Sequence, residues 1–187
     1  MLYPKKINAK KGKKMIQIGI AISIVIALIL WGTQKAFTPQ SHWAWITIAC
    51  MIYAWIITLY SIKTCQNIAG HVFLQMLAVS ALLVYIDYIT GFEKWSFGIA
   101  IPIVIMTANI IMLILTIVAR NRYIQYVIYQ IFICIVSYLP VVFITEHLVK
   151  DEILSYLALG VSIINFIVFV ILCHKSLIEG VKRKLHM

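Results

Sequence analysis

Residues 96–119 read SFGIAIPIVIMTANIIMLILTIVA, a run of 24 residues without one charged side chain. About 20 helical residues cross the roughly 30 Å hydrocarbon core of a bilayer, so this run is long enough to span it. Backbone groups in lipid must be paired within the segment, and a helix pairs them without help from a neighbour. The stretch therefore predicts a transmembrane helix.

The rest of the chain has the same character. Hydrophobic residues make up 63% and charged residues 12%, with a mean hydropathy of +0.99, which leaves too little polar surface to coat a soluble globule. The alternation at period two that marks membrane β-strands is absent from the sequence. We predict an all-α fold, a polytopic membrane bundle of six helices. The predicted spans are Met15 to Gly32, Trp43 to Ile62, His71 to Thr90, Ser96 to Ala119, Tyr123 to Ile144 and Ile153 to Cys173.

The domain organisation follows from these spans. A polybasic cytoplasmic segment is predicted at residues 1–14, one six-helix transmembrane domain at 15–174, and a basic cytoplasmic tail at 175–187. The loops at 33–42 and 145–152 are short, so neighbouring helices are expected to pack antiparallel, as in a series of hairpins. The first apolar run lacks a good cleavage pattern, which favours an uncleaved first helix over a signal peptide.

Basic residues are distributed unevenly over alternate connections, and positive charge is retained on the cytoplasmic side of a membrane. Three of the sixteen lie on one side, and thirteen on the other. The three are Lys35, Lys94 and Lys150. The thirteen are Lys5, Lys6, Lys10, Lys11, Lys13, Lys14, Lys63, Arg120, Arg122, Lys175, Lys182, Arg183 and Lys184. The count predicts that the side with thirteen basic residues is cytoplasmic and that both termini lie inside.

The formal net charge of +10 is explained by basic residues at the membrane surface. The basic residues adjoin membrane ends and lack the interleaved aromatics and soluble module of a nucleic-acid binder, so no nucleic acid is expected. The predicted partner is the bilayer, with anionic lipid at the cytoplasmic face. Another membrane protein is the further class of partner.

Three amides interrupt the apolar spans at a similar depth. Counted from the cytoplasmic ends, Asn109, Gln130 and Asn165 fall within about one helical turn of a common level near the middle. Polar side chains avoid lipid, so these are expected to face the bundle interior. They either join helices by hydrogen bonds or line a site for a solute or ion.

Two further candidates for ligand or ion binding stand alone. Asp87 is an acidic residue within a predicted span, and an intramembrane carboxylate is a candidate proton or cation acceptor. It lies near the outer end of the third helix, where water or Lys94 is an alternative partner. Trp55 lies deeper in the second span and either stacks on a flat solute or packs between helices. Pro102 and Pro140 are expected to kink the fourth and fifth spans and open a crevice.

The cysteines offer one catalytic alternative. Cys50, Cys65, Cys134 and Cys173 include no C-x-x-C pair, so neither a disulfide framework nor a metal site is predicted, and no cofactor is expected. Cys65 and His71 lie at one predicted connection, where an imidazole can activate a thiol, as in small six-span cysteine peptidases. Their order is reversed relative to that class, and only a turn near Gly70 would bring them together.

Several motifs resemble those of an uncharacterised family of small bacterial multi-span proteins. They are Tyr53-Ala54-Trp55, Asp87 to Gly91, Trp95-Ser96, Pro102 and the tail Glu179 to Met187. The resemblance covers about residues 40–187 and implies six membrane helices without a known reaction. Members often carry an N-terminal zinc ribbon, for which the first fourteen residues here contain no Cys.

The functional interpretation is correspondingly broad. Together with the resemblance, the sequence favours a multi-pass protein of a bacterial cytoplasmic membrane that acts as a non-enzymatic accessory, interaction or transport-related component. The alternatives are the cysteine peptidase and the substrate-binding membrane subunit of a modular vitamin transporter, which has six helices and a similar size. Such subunits use a ridge of small residues on the first helix, whereas Ala21 and Ala27 lie six positions apart and form no such ridge.

Overall fold

A computed structural model describes residues 9–63, 68–118, 123–146, 149 and 153–184. These residues are almost all helical, and no strand occurs among them. Six helical stretches within them are long and apolar enough to cross a membrane. The all-α fold with six transmembrane helices is thereby confirmed, while the cytoplasmic placement of the termini stays a prediction.

The helices follow one another in chain order with a single π-helical segment among them. They are α1 (Ala9–Phe37), α2 (Trp43–Lys63), α3 (Ile68–Ile89), the π segment (Ser96–Ala100), α4 (Ile101–Val118), α5 (Tyr123–Val136), α6 (Leu139–Thr145) and α7 (Ile153–Lys184). The fifth candidate span, Ile128–Thr145, combines most of α5 with α6.

Both prolines predicted to disturb helices lie where the regular α-helix is interrupted. Pro140 follows the break between α5 and α6, since it has no N–H to donate to the carbonyl of Val136. Pro102 is the second residue of α4, directly after the π segment, in which the N–H of Ile101 donates to the oxygen of Ser96 five residues earlier. Each proline thus adjoins a place where the local hydrogen-bonding pattern changes.

The chain forms two compact units, Met1–Ile52 and Tyr53–Met187. In the first unit, α1 continues five residues past the predicted end at Gly32, and Gln34 is buried in its last turns. The Gln34 side chain donates to the main-chain oxygen of Ser41 and accepts from the N–H of Ala44 at 2.9 Å. It therefore closes the turn and pairs one of the free N–H groups at the start of α2.

The second unit is built around α4, which contacts α3, α5, α7 and the π segment. The buried apolar side chains of α4 recur every three or four residues, the spacing of one helix face. They are Ile101, Ile105, Ala108 and Met112. The buried face of α7 has the same spacing but is mostly small or polar, with Ser155, Ala158, Ser162, Asn165 and Phe169. Small residues let two membrane helices approach closely, so α4 and α7 form the densest contact of the unit.

Candidate functional site

The three amides predicted to share a depth meet inside the second unit. Asn165 Nδ2 on α7 donates to the main-chain oxygen of Asn109 at 2.8 Å and to its Oδ1 at 3.2 Å. Gln130 Nε2 on α5 donates to the same Oδ1 at 3.2 Å. All three side chains are buried, so this amide cluster joins α4, α5 and α7 by hydrogen bonds.

The direction of every hydrogen bond in the amide cluster is fixed by main-chain carbonyls. Asn109 Nδ2 donates to the carbonyl of Ile105 at 3.0 Å, which turns Oδ1 of Asn109 toward the neighbouring helices. Gln130 must then present its Nε2 to this acceptor, which leaves Gln130 Oε1 buried without a hydrogen-bond partner. The unused capacity of Gln130 is therefore an acceptor.

A second polar site surrounds Asp87 near the end of α3. The carboxyl group is fully buried, and its Oδ2 accepts from the N–H of Ser96 at 3.1 Å and from Ser96 Oγ at 2.6 Å. Oδ1 of Asp87 is buried and has no hydrogen-bond partner. The sequence had suggested water or Lys94 as the partner of this carboxyl group, and the structure adds Ser96, which donates twice.

The backbone beside Asp87 is unusual. The turn after α3 places Phe92 and Lys94 at φ values of 55° and 65°, a left-handed conformation that is uncommon for residues other than glycine. The N–H of Phe92 donates to the main-chain oxygen of Asp87 at 2.8 Å, which folds the turn back onto the helix end. The π segment begins at once with Ser96, and such segments are frequent at functional sites. This tight reversal is what brings Ser96 onto the Asp87 carboxyl group.

Two serines extend the polar interior along α7. Ser155 and Ser162 are fully buried, and the hydroxyl oxygen of each lacks a hydrogen-bond partner. Ser162 lies three residues before Asn165, which places both on one face of the helix and next to each other. Ser155 lies a further two turns along the same face. The polar side of α7 thus runs from the amide cluster toward the N-terminal end of the helix.

Among the described residues of the second unit, nine buried side chains are polar, against nine buried hydrophobic side chains and two buried prolines. The polar nine are Asp87, Ser96, Asn109, Thr116, Gln130, Ser137, Ser155, Ser162 and Asn165. Thr116 and Ser137 bond to main-chain oxygens of their own helices. Four buried atoms in the set are left without hydrogen-bond partners, which are Asp87 Oδ1, Gln130 Oε1, Ser155 Oγ and Ser162 Oγ. Such atoms are rare in native interiors, and each calls for a physical explanation.

An apolar groove of about 280 Å³ runs between α3 and α4. Gln75 and Thr107 are the polar residues of its lining, and Gln75 Nε2 donates to the hydroxyl of Tyr53 at 3.2 Å. The apolar lining consists of Val72, Met76, Val79, Ile103, Val104, Ala108 and Ile111. The sequence had predicted a crevice beside Pro102 and Pro140 in the fourth and fifth spans. The groove lies on the α3 side of α4 and includes Ile103 and Val104, which follow Pro102, while a crevice at Pro140 stays a prediction.

The remaining candidates are less informative. Cys65 lies outside the described residues, so its pairing with His71 stays a prediction. His71 is half-buried on α3 and packs edge-on against Tyr60, with ring centroids 4.8 Å apart. Gly70 lies within α3 rather than in a turn. Trp55 is half-buried on α2.

Comparison with known proteins places the whole described chain in one group. A family of unknown function, DUF6320, matches residues 3–187. The chain belongs to the DUF6320 family. The matched residues include α1, which precedes the residues 40–187 that carried the predicted resemblance to an uncharacterised family. A bacterial source and a link to zinc-ribbon proteins stay predictions. No curated protein and no solved structure matches the chain.

Sequence reasoning missed Gln34, Ser155 and Ser162 as buried polar residues. A signal for the two serines is present in the spacing, since Ser155, Ala158, Ser162 and Asn165 repeat at three and four residues and are all small or polar. Gln34 gives no comparable signal, because its role depends on how the chain turns between α1 and α2.

Proposed function

We propose that this member of the DUF6320 family is a non-enzymatic, transport-related membrane protein whose second unit binds a small polar solute or ion between its helices. The observation that carries the proposal is the set of four unpaired atoms on Asp87, Gln130, Ser155 and Ser162. Each such atom costs about 1 to 3 kcal/mol when it is buried without a partner. A protein needs a compensating reason to keep four of them, and a polar ligand supplies one.

The arrangement of these residues supports the same role. Asp87 lies at the end of α3, Gln130 lies on α5, and the two serines lie on α7, so the unpaired atoms come from three helices. Solute and ion sites of membrane transport proteins are formed in this way, by polar groups and interrupted helices inside the bundle. The π segment and the break before Pro140 are interruptions of that kind.

We also propose that the protein lies in a bacterial cytoplasmic membrane with both termini inside. The support is the count of thirteen basic residues on one side against three on the other. The basic cluster that ends at Lys14 then lies beside anionic headgroups. Each of its charges contributes about 1 kcal/mol near the surface.

The transport role is tested with the full chain reconstituted into liposomes. Stopped-flow light scattering measures the rate of osmotic swelling in NaCl, KCl, urea and glycerol, each compared with protein-free liposomes. We expect the protein to speed swelling with at least one solute. Gln130→Leu removes the buried acceptor and should return that rate to the protein-free value.

Thr58→Val is the matched control, since Thr58 is exposed on α2, lies outside the groove and has its hydroxyl bonded to the carbonyl of Ala54 in the same helix. It should leave the swelling rate unchanged. Equal rates in the presence and absence of correctly folded protein, for all four solutes, contradict a transport role. Purification from native membranes with a stable protein partner and no bound solute would point to the accessory role instead.

A further inference from the structure

We infer that Asp87 holds a small monovalent cation at its free Oδ1, with the hydroxyl of Ser155 as a second oxygen ligand. The inference rests on the proposed function and names the class of ligand. The four buried oxygens of the second unit that lack hydrogen-bond partners differ in whether they can donate. Asp87 Oδ1 and Gln130 Oε1 can only accept, and the two serine hydroxyls can accept as well as donate, so these oxygens suit a cation.

Ser155 lies at the right level of the second unit for this role. A Cβ built on Gly98 would lie 3.5 Å from Val149 Cγ1, and Asn109 is bonded to Asn165. Together with the contacts of α7 with α4 and with the π segment, they indicate that α7 runs in the same direction as α4. Ser155 lies ten residues before Asn165 on α7, and ten residues before Asn109 the chain is at Ile99, within the π segment. Its level is therefore close to that of the π segment.

The π segment also contacts the Asp87 carboxyl group. Ser96, its first residue, donates twice to Asp87 Oδ2, and the segment contacts both α3 and α7. The carboxyl group is thus held by one oxygen, while the other stays available. Two fully buried oxygens without partners, Asp87 Oδ1 and Ser155 Oγ, consequently lie near the same short segment of π-helix.

The charge of the site sets the charge of the ligand. Within the six candidate spans, one residue, Asp87, is acidic. In the part of the chain that the structure describes, no group of three His, Cys, Asp or Glu side chains is placed to hold a metal ion. Divalent ions such as Ca²⁺ take several oxygen ligands and commonly more than one carboxylate. One carboxylate with a hydroxyl balances a single positive charge, so Na⁺ or K⁺ fits better.

The inference is tested by the thermal unfolding of the full chain in lipid nanodiscs, followed by tryptophan fluorescence. Trp95 directly precedes Ser96 and serves as a local reporter, which Trp95→Phe identifies. NaCl and KCl are each compared with choline chloride at equal ionic strength. We expect one of the two metal ions to raise the unfolding temperature of the unmodified protein in a saturable way, because a ligand that binds the folded state stabilises it.

Three variants locate the ion. Asp87→Asn keeps the shape of the side chain but loses its charge, and should abolish the ion-specific rise. Ser155→Ala should weaken the apparent affinity about tenfold, the effect of one oxygen ligand. Glu93→Gln removes an exposed negative charge six residues from Asp87 and should leave the response unchanged.

The outcomes separate this inference from the transport proposal. An identical response to Na⁺, K⁺ and choline in the unmodified protein overturns the inference, and so does a full response in Asp87→Asn. A variant that fails to fold leaves the comparison of salts on the unmodified protein as the deciding measurement. Faster liposome swelling with a neutral solute, without ion-specific stabilisation, would refute the cation site and keep the transport role. Ion-specific stabilisation without any solute flux would support the cation site and contradict the transport role.

Discussion

The side-chain amide of Asn165 donates to two oxygens of Asn109, the main-chain oxygen at 2.8 Å and Oδ1 at 3.2 Å. This contact joins α7 to the central helix α4 near the middle of both spans. It also joins residues 56 positions apart in the chain, so it fixes the register between two helices that sequence alone leaves undetermined.

The first prediction concerns the strength of this contact. Asn109→Ala and Asn165→Ala should each destabilise the protein, and the double variant should lose less than the sum. The coupling energy is expected at about 0.6 kcal/mol and at most about 1.7, the range measured for hydrogen bonds between membrane helices. A double-mutant cycle on unfolding in mixed micelles measures it. Asn165→Ala combined with Thr107→Ala, on the exposed side of α4, should be additive, and a coupling of equal size there would contradict the assignment.

The second prediction concerns Ser96. Ser96→Ala removes the 2.6 Å hydrogen bond to Asp87 Oδ2 and should destabilise the protein by about 1 to 3 kcal/mol, because a buried acceptor loses a donor. Ser80→Ala is the control, since the Ser80 hydroxyl is half-buried and bonds to the carbonyl of Met76 in its own helix. It should change stability by far less. Equal losses in the two variants, measured as the midpoint of thermal unfolding, would show that Ser96 does not support the carboxyl group.

The third prediction concerns two helical glycines. A Cβ added at Gly70 would lie 2.6 Å from the hydroxyl oxygen of Tyr60 and 3.2 Å from that of Tyr129. A Cβ added at Gly160 would meet nothing within 4 Å. Crowding in a packed region costs about 1 to 3 kcal/mol, whereas Ala in a helix is favoured over Gly by about 1 kcal/mol.

Gly70→Ala should therefore lower the unfolding temperature, and Gly160→Ala should leave it unchanged or raise it. Tyr60→Phe in the Gly70→Ala background removes the nearest oxygen and should restore part of the loss. The proposed close approach of Tyr60 to α3 would be refuted if Gly70→Ala were as stable as Gly160→Ala.

The fourth prediction concerns orientation. In a variant whose native cysteines are replaced, Glu93→Cys and Glu146→Cys should react with a membrane-impermeant maleimide applied to intact cells. Lys14→Cys should react only after the membrane is opened, because the basic side of the protein is retained in the cytoplasm. Labelling of Lys14→Cys in intact cells, with protection of Glu93→Cys, would reverse the predicted topology.

Much of the candidate site was predictable from the sequence because helical rise is constant. Counting residues at 1.5 Å each was enough to place Asn109, Gln130 and Asn165 at one depth, and the structure brings them together by hydrogen bonds. Counting did not reveal that Ser96 would hold Asp87. That contact depends on the left-handed backbone of Phe92 and Lys94, which cannot be predicted from these two residue types.

The sequence by itself determined the six spans and the all-α class, since length and apolar composition are all that a membrane helix requires. The tertiary structure decided which side of each helix faces inward. Apolar side chains suit lipid and bundle interior equally well, so hydrophobic periodicity reports the rotation of a membrane helix only weakly. Packing around α4 therefore decided the partners of the buried polar groups, and with them which four oxygens, on Asp87, Gln130, Ser155 and Ser162, have no hydrogen-bond partner.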